Sequence, residues 1–198
     1  MLIVKGIQLK DFYNRWTEKS KSYSNDDLAD LFDKFFSLYV VYNRIYNITA
    51  SVLYEEGEIE KLKKAKKIKR NKRETEVNES DAAIFCIAHY LRDNLEEIIS
   101  ENINEINDFK FILENKLFNI DLFYGQPQPK KDKKLLKGLE SKNNLIVIES
   151  LLTILYKVRC NIFHAEKGFN EEQRIILEPV NNLLEKLIKT LISKVTRN

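Results

Sequence analysis

The sequence predicts an all-α protein, a bundle of four main helices with shorter helices around them. Three observations carry that prediction. Apolar residues recur at three- and four-residue spacing through most of the 198 residues, the period of a helix face. Only 5 glycines and 3 prolines occur, too few for the closely spaced turns of a β protein. Helix-start residues stand ahead of apolar stretches, as at Ser24-Asn25-Asp26-Asp27 and Asn78-Glu79-Ser80-Asp81. With 43% apolar and 32% charged residues, the chain is suited to one domain with its own core, taken as residues 1–198.

The elements follow in order. Residues 8–22 form a short first helix, with Leu9, Phe12, Tyr13 and Trp16 at helical spacing. Ser24 or Asn25 then caps a second helix, and Asp26 and Asp27 fall in a first turn where the helix dipole favours acids. Leu28, Leu31, Phe32, Phe35, Leu38, Tyr39, Tyr42, Ile45 and Tyr46 carry it to about Glu56, and Gly57 supplies the stop. Tyr39, Tyr42, Tyr46 and Tyr54 are expected in the core or at an interface rather than as base-stacking rings. Asn43, polar within this apolar helix, is expected beside a functional site or at a seam between two copies.

The stretch 61–73 has no apolar stripe of any width and is either a solvated helical extension or a mobile loop. Asn78-Glu79-Ser80-Asp81 starts a helix that Ala82, Phe85, Cys86, His89, Leu91, Leu95 and Ile98 carry to about Ser100. His89 is expected as a core or boundary residue. An amphipathic piece runs from Ile103 to about Phe118. Gly125-Gln126-Pro127-Gln128-Pro129 then breaks the periodicity, and 125–134 reads as an exposed loop. From about Asn143 to Phe163 the chain is apolar nearly all round, which places this helix at the centre, buried by neighbours or by a second subunit. The last helix runs from about Asn170 to Lys194, with Pro179 kinking it or marking its true start.

Several function classes drop out. No apolar run approaches the roughly 18 residues that cross a bilayer, and the apolar start Met1–Val4 is too short for a signal peptide. Two cysteines in apolar surroundings, Cys86 and Cys160, fit free thiols in a cytosolic (cytoplasmic) protein better than a disulfide. Neither lies among enough Cys and His residues to make a zinc site, so no metal is expected, and no cofactor. The charge is uneven. Of a net +3, nine positive charges and no acid lie in 61–73, which leaves −6 on the rest. The segment that includes Lys63, Lys64, Lys66, Lys67, Lys69, Arg70, Lys72 and Arg73 is therefore expected to bind RNA or another polyanion such as an acidic partner protein, against the alternative of a merely solvated face. A smaller cluster follows at Lys130, Lys131, Lys133 and Lys134.

The residues with chemistry close the long apolar helix: Arg159-Cys160-Asn161-Ile162-Phe163-His164. Arginine is always charged and meets phosphate with a fork of donors. Histidine moves protons near neutral pH, and the chain has only 2 histidines. Asn161 between them is able to orient a phosphate or the ring. On an ideal helix Arg159 and His164 point about 140° apart, so both face one cleft only if the helix frays or a second chain completes the site. A plain capping role for both charges at a helix C-terminus is the competing explanation.

The stretch Tyr156–His164 resembles the Arg-x4-6-His signature of the HEPN superfamily (higher eukaryotes and prokaryotes nucleotide-binding). The aromatic run from Phe35 to Asn47, with its Tyr42-Asn43 pair, is similar to that family's early helix. The resemblance covers the two core helices, the last helix loosely, and not 60–140. It implies a HEPN-like helical bundle that forms a homodimer, with the two motifs meeting across the interface. Many members are metal-independent endoribonucleases of toxin–antitoxin, phage-defence or CRISPR systems, some working with an antitoxin or a nucleotidyltransferase-type partner. By that likeness Arg159 would hold the scissile phosphate, His164 would exchange a proton with the 2′-hydroxyl or the leaving oxygen, and Asn161 would support them. The product would be a 2′,3′-cyclic phosphate, and DNA would be spared. The chain departs from the pattern at Cys160, at Ala165 where glycine is frequent, and at Glu166, where the subgroup modified by its nucleotidyltransferase has tyrosine. Those departures motivate an alternative, a non-catalytic HEPN domain that binds RNA or a partner protein.

Overall fold

The computed structural model describes residues 2–66, 77–163 and 170–195. They form an all-α helical bundle whose helices are α1 (Leu2–Lys21), α2 (Leu28–Glu55), α3 (Glu58–Lys66), α4 (Glu79–Asp81), α5 (Ile87–Tyr90), α6 (Leu95–Glu101), α7 (Ile103–Glu114), α8 (Pro129–Leu139), α9 (Asn144–Phe163) and α10 (Arg174–Val195). A two-stranded hairpin, β1 (Leu122–Phe123) and β2 (Gln126–Pro127), stands before α8. No helix among the described residues is long and apolar enough to cross a membrane.

The long helices form where the apolar spacing places them. Along α2, Leu31, Phe35, Leu38, Tyr42 and Ile45 bury one face against α1 and α10. Asn181 of α10, itself buried, donates to the Leu31 carbonyl at 3.0 Å and fixes that pairing. The middle of α9, from Val147 to Val158, is buried by α8, α6 and the segment after α4. The approach of α8 to α9 is close because Gly138 has no side chain: a Cβ there would lie 2.0 Å from the Ser150 hydroxyl oxygen.

Several boundaries differ from expectation. The first helix begins at Leu2 rather than residue 8. The cap of α2 is Asp27, whose carboxylate accepts from the Ala29 amide at 2.7 Å, not Ser24 or Asn25. The carbonyls of Asn25 and Asp26 instead accept from the Arg174 guanidinium at 2.6 and 3.0 Å, which holds them outside the helix. Gly57 ends α2 at a positive φ of 71°, as expected of a helix stop.

The single helix expected over 79–100 is broken into pieces. Residues Ala82–Cys86 form a π-helical turn between α4 and α5, and Arg92–Asn94 form a 3-10 turn before α6. The Tyr42 hydroxyl donates to the Ala83 carbonyl within the π turn, so a buried side chain of α2 serves the widened backbone. The exposed loop expected at 125–134 is the turn and second strand of the hairpin as far as Gln128, and helix beyond it. Pro129 occupies the first helical turn of α8, where its missing N–H costs nothing, and the Lys131 and Asp132 amides donate to the Gln128 carbonyl. Pro179 does not mark the start of the last helix. Asn170 forms a capping box with Gln173, a 3-10 turn follows, and Pro179 lies inside α10. Part of the basic stretch is neither a loop nor free of apolar contacts: α3 runs to Lys66 and buries Ile59 and Leu62 against Leu53 and Cys86.

Candidate functional site

The candidate site is built on the C-terminal half of α9. Arg159 is largely covered, with 18% of its side chain exposed. Glu79, in the first turn of α4, grips it with both oxygens: Nη2 to Oε1 at 3.0 Å and Nη1 to Oε2 at 3.4 Å. The same Oε1 accepts from the Tyr46 hydroxyl at 2.9 Å. The Tyr39 ring lies beneath the guanidinium carbon, 5.8 Å from its centroid. Tyr39, Tyr42 and Tyr46 are stacked along α2 at centroid spacings of 5.7 and 5.5 Å, so three successive rings form one wall behind the arginine.

Electrostatics fix the protonation of this group. Burial works against the Arg159 charge, but Glu79, Tyr39 and Cys160 together more than offset it and the pKa rises. Burial, and then the hydrogen bond to Glu79, pushes Tyr46 well above the ordinary tyrosine value, so it remains a donor. Burial also pushes Tyr39 and Tyr42 upward. Tyr156, one turn before Cys160 on the same helix, is pushed up to about 12 by burial and then by the Cys160 thiol. Every tyrosine of the cluster is neutral near pH 7, and Arg159 is paired with Glu79.

Asn161 does not share this site. Two residues on from Arg159 it points about 200° round the helix. It is 3% exposed, and its amide donates to the Ile120 carbonyl at 2.9 Å. Its amide is taken up in tying α9 to the segment that leads into the hairpin, away from the place beside the phosphate expected of it. One position after Ile120, Asp121 pairs with Lys157 of α9 at 3.1 Å and with Lys131 of α8 at 3.2 Å. Replacing Asn161 with alanine leaves the buried Ile120 carbonyl without its donor and is expected to cost about 1–3 kcal/mol of stability in urea unfolding. Activity per folded molecule is expected to be unchanged, and a loss beyond the folded fraction would return Asn161 to the chemistry.

His164 lies outside the described residues, one position beyond the last residue of α9. Of the basic segment, Lys67, Lys69, Arg70, Lys72 and Arg73 also lie outside them. Lys66 ends α3. Lys64 is exposed, whereas Lys63 is mostly covered and paired with Glu60 at 3.1 Å. The described part of the run is thus partly neutralised on its own helix. His89 is a boundary residue, between Arg92 and Glu58. Tyr39, Tyr42 and Tyr46 are in the core, as expected, while Tyr54 is exposed. Asn43 accepts from the Asn47 amide one turn on, at 2.7 Å.

The residue the sequence did not single out is Glu79. It stands in a helix-start phrase, where an acid is explained by the dipole alone, and its partner is 80 residues away. Among the described residues no group of three or more His, Cys, Asp or Glu side chains is placed to hold a metal ion. No protein-family model, characterised protein or solved structure matches this chain.

Proposed function

We propose that this chain is a metal-independent endoribonuclease of HEPN type, a toxin or phage-defence nuclease that cuts single-stranded RNA at a site completed by a second copy. The observation that carries the proposal is Arg159. It is a fixed, partly exposed guanidinium in the penultimate turn of α9, pre-oriented by Glu79 over Tyr39, with His164 following the helix end. Pre-orientation is what an electrostatic catalyst needs, because a donor already aimed at developing charge pays no reorganisation cost during reaction. In the proposed step the RNA 2′-hydroxyl attacks the adjacent phosphorus, and a histidine takes its proton. The bond to the 5′-oxygen breaks, the leaving oxygen receives a proton, and the 2′,3′-cyclic phosphate remains. Arg159 binds the non-bridging oxygens as their charge grows. His164 is the proton carrier, and the partner copy supplies the second one.

The test is a strand with one 2′-deoxy nucleotide at a mapped cleavage position. Cleavage there is expected to vanish while flanking positions are still cut, because the nucleophile is gone. Continued cleavage at the deoxy position would overturn the proposed chemistry.

One observation favours the alternative, a non-catalytic domain of the same type that binds RNA or a protein. Glu79 already neutralises Arg159 with two contacts, so an incoming phosphate competes with a carboxylate. The two readings part at Glu79→Gln. For a nuclease, whose phosphate shares Arg159 with this carboxylate, the change raises RNA affinity and alters the cleavage rate. For a binding module it alters affinity alone.

A further inference from the structure

The hairpin and α8, which the nuclease chemistry does not use, present an unusual surface. Phe123 and Tyr124 stand at the hairpin tip with 60% and 85% of their area exposed. Their rings meet edge to face at 4.6 Å. Phe123 pairs with Gln126, so Tyr124 and Gly125 form a two-residue turn, and both have positive φ, 48° and 74°, as a type I′ turn requires. Asparagine or glycine suits the first of these positions, and a bulky ring there is strained. A strained, nearly fully exposed tyrosine has no packing explanation, and strain of this kind concentrates at functional positions.

Beside the rings lies a stripe of charge. Lys130, Lys133, Lys134 and Lys137 recur at helical spacing on α8, opposite the buried face of Leu135, Gly138 and Leu139. All four are exposed and none has an ion pair with a described residue. The stripe is about 10 Å long at 1.5 Å per residue. Lys130 and Lys133 also line a cleft of about 480 Å³ between the end of α7 and α8, floored by Leu113, Phe118 and Leu136.

Rings and stripe are held as one unit. The Asp132 carboxylate accepts from the Ile120 and Asp121 amides at 3.2 and 2.8 Å, and Lys131 pairs with Asp121. The same two residues are fixed to α9 by Asn161 and Lys157, which flank Arg159 in sequence.

We infer that the Phe123–Tyr124 hairpin tip and the lysine stripe of α8 bind single-stranded RNA, bases stacking on the rings and phosphates following the lysines. Exposed aromatic faces beside unpaired cations are the combination that holds unpaired strands without reading their sequence. A duplex hides its base faces, and an acidic protein has no need of the rings. The choice of RNA rests on the ribonuclease reading, and the surface would deliver the strand toward the end of α9.

The test is RNA affinity, measured by fluorescence anisotropy of a labelled single strand with His164→Ala protein, so that cleavage does not enter. Phe123→Ala and Tyr124→Asn are each expected to weaken binding about 10-fold. Asparagine suits the turn, so a loss in Tyr124→Asn is not a folding failure. Changing all four lysines to glutamine is expected to flatten the slope of log affinity against log salt by about 0.7 for each phosphate contact removed. Unchanged affinity in the ring variants would overturn the inference. If only the lysine variant lost affinity, equally for RNA and polyglutamate, an acidic protein partner would replace RNA. Wild-type protein that binds through these residues but leaves RNA intact would sink the nuclease and keep this surface. Cleavage with normal affinity and KM in the ring variants would do the reverse.

Discussion

Replacing His164 with alanine is expected to lower the rate of RNA cleavage by a factor of about 10² to 10⁴, the usual contribution of a positioned acid–base group. The fold should be untouched, because no histidine is among the buried apolar side chains that form the core of the described residues. Arg159 remains held by Glu79 and Tyr39 in the variant, so RNA binding should persist while the chemical step fails. The expected signature is a fall in kcat with little change in KM, since the histidine acts on the transferring proton rather than on the bound phosphate. Circular dichroism and the elution volume, equal for the two proteins, separate this result from unfolding. A variant that cuts at the wild-type rate would remove His164 from the mechanism and favour the binding module.

Replacing Lys186 with methionine is expected to produce a large stability loss far from the site. Lys186 of α10 reaches both oxygens of Glu105 at 2.7 Å and the Glu101 carbonyl at 2.9 Å. Glu105 lies on α7 with its side chain only 6% exposed. Removing the lysine leaves a covered carboxylate without its countercharge. Breaking a fully buried pair costs about 3–5 kcal/mol, and because Lys186 itself is partly exposed the expected loss is about 2–3 kcal/mol. For a chain of this size that is a fall in Tm of about 5–10 °C. Methionine keeps the length of the side chain, so lost packing contributes little. Adding Glu105→Leu should recover most of the loss, because an apolar pair of similar volume replaces the ionic one. A single variant as stable as wild type would mean that water already serves Glu105.

The sequence conveyed the helical class and the long helices because burial there follows a simple period. The apolar spacing of α2 and the nearly uninterrupted apolar run of α9 leave little choice of structure. It was less informative where local chemistry is ambiguous. Pro127-Gln128-Pro129-Lys130-Lys131-Asp132 contains the residues of a turn, yet Pro129 also suits the first turn of a helix, and Leu135 and Leu139 with Gly138 mark the buried side of α8. The cap of α2 was misplaced because four candidate residues stand in a row, and Arg174, 149 residues away from Asn25, decides among them. The π turn in the 79–100 helix comes with a hydrogen bond from Tyr42 to the Ala83 carbonyl, a partner 41 residues away that no local pattern records.

The same division runs through the site. Arg159 was legible as the one arginine in an apolar helix. The inward turn of Asn161 follows from the helical period: if Arg159 faces outward, the residue about 200° further round faces in. Glu79 and Tyr46 were not assigned to the site, because their roles arise only when α2, α4 and α9 meet. The aromatic hairpin tip was hidden in a stretch that reads as a loop, and the strain that marks Tyr124 is a property of its backbone alone.

The most direct measurement of the central claim is the chemistry of the RNA ends left by the wild-type protein. A mixed-sequence single strand is incubated with the folded chain in excess EDTA, and the fragments are examined by mass spectrometry. A HEPN-type ribonuclease leaves 2′,3′-cyclic phosphates on the upstream fragments and 5′-hydroxyls on the downstream ones. Intact RNA after hours with folded, RNA-bound protein, or fragments carrying 5′-phosphates, would contradict it.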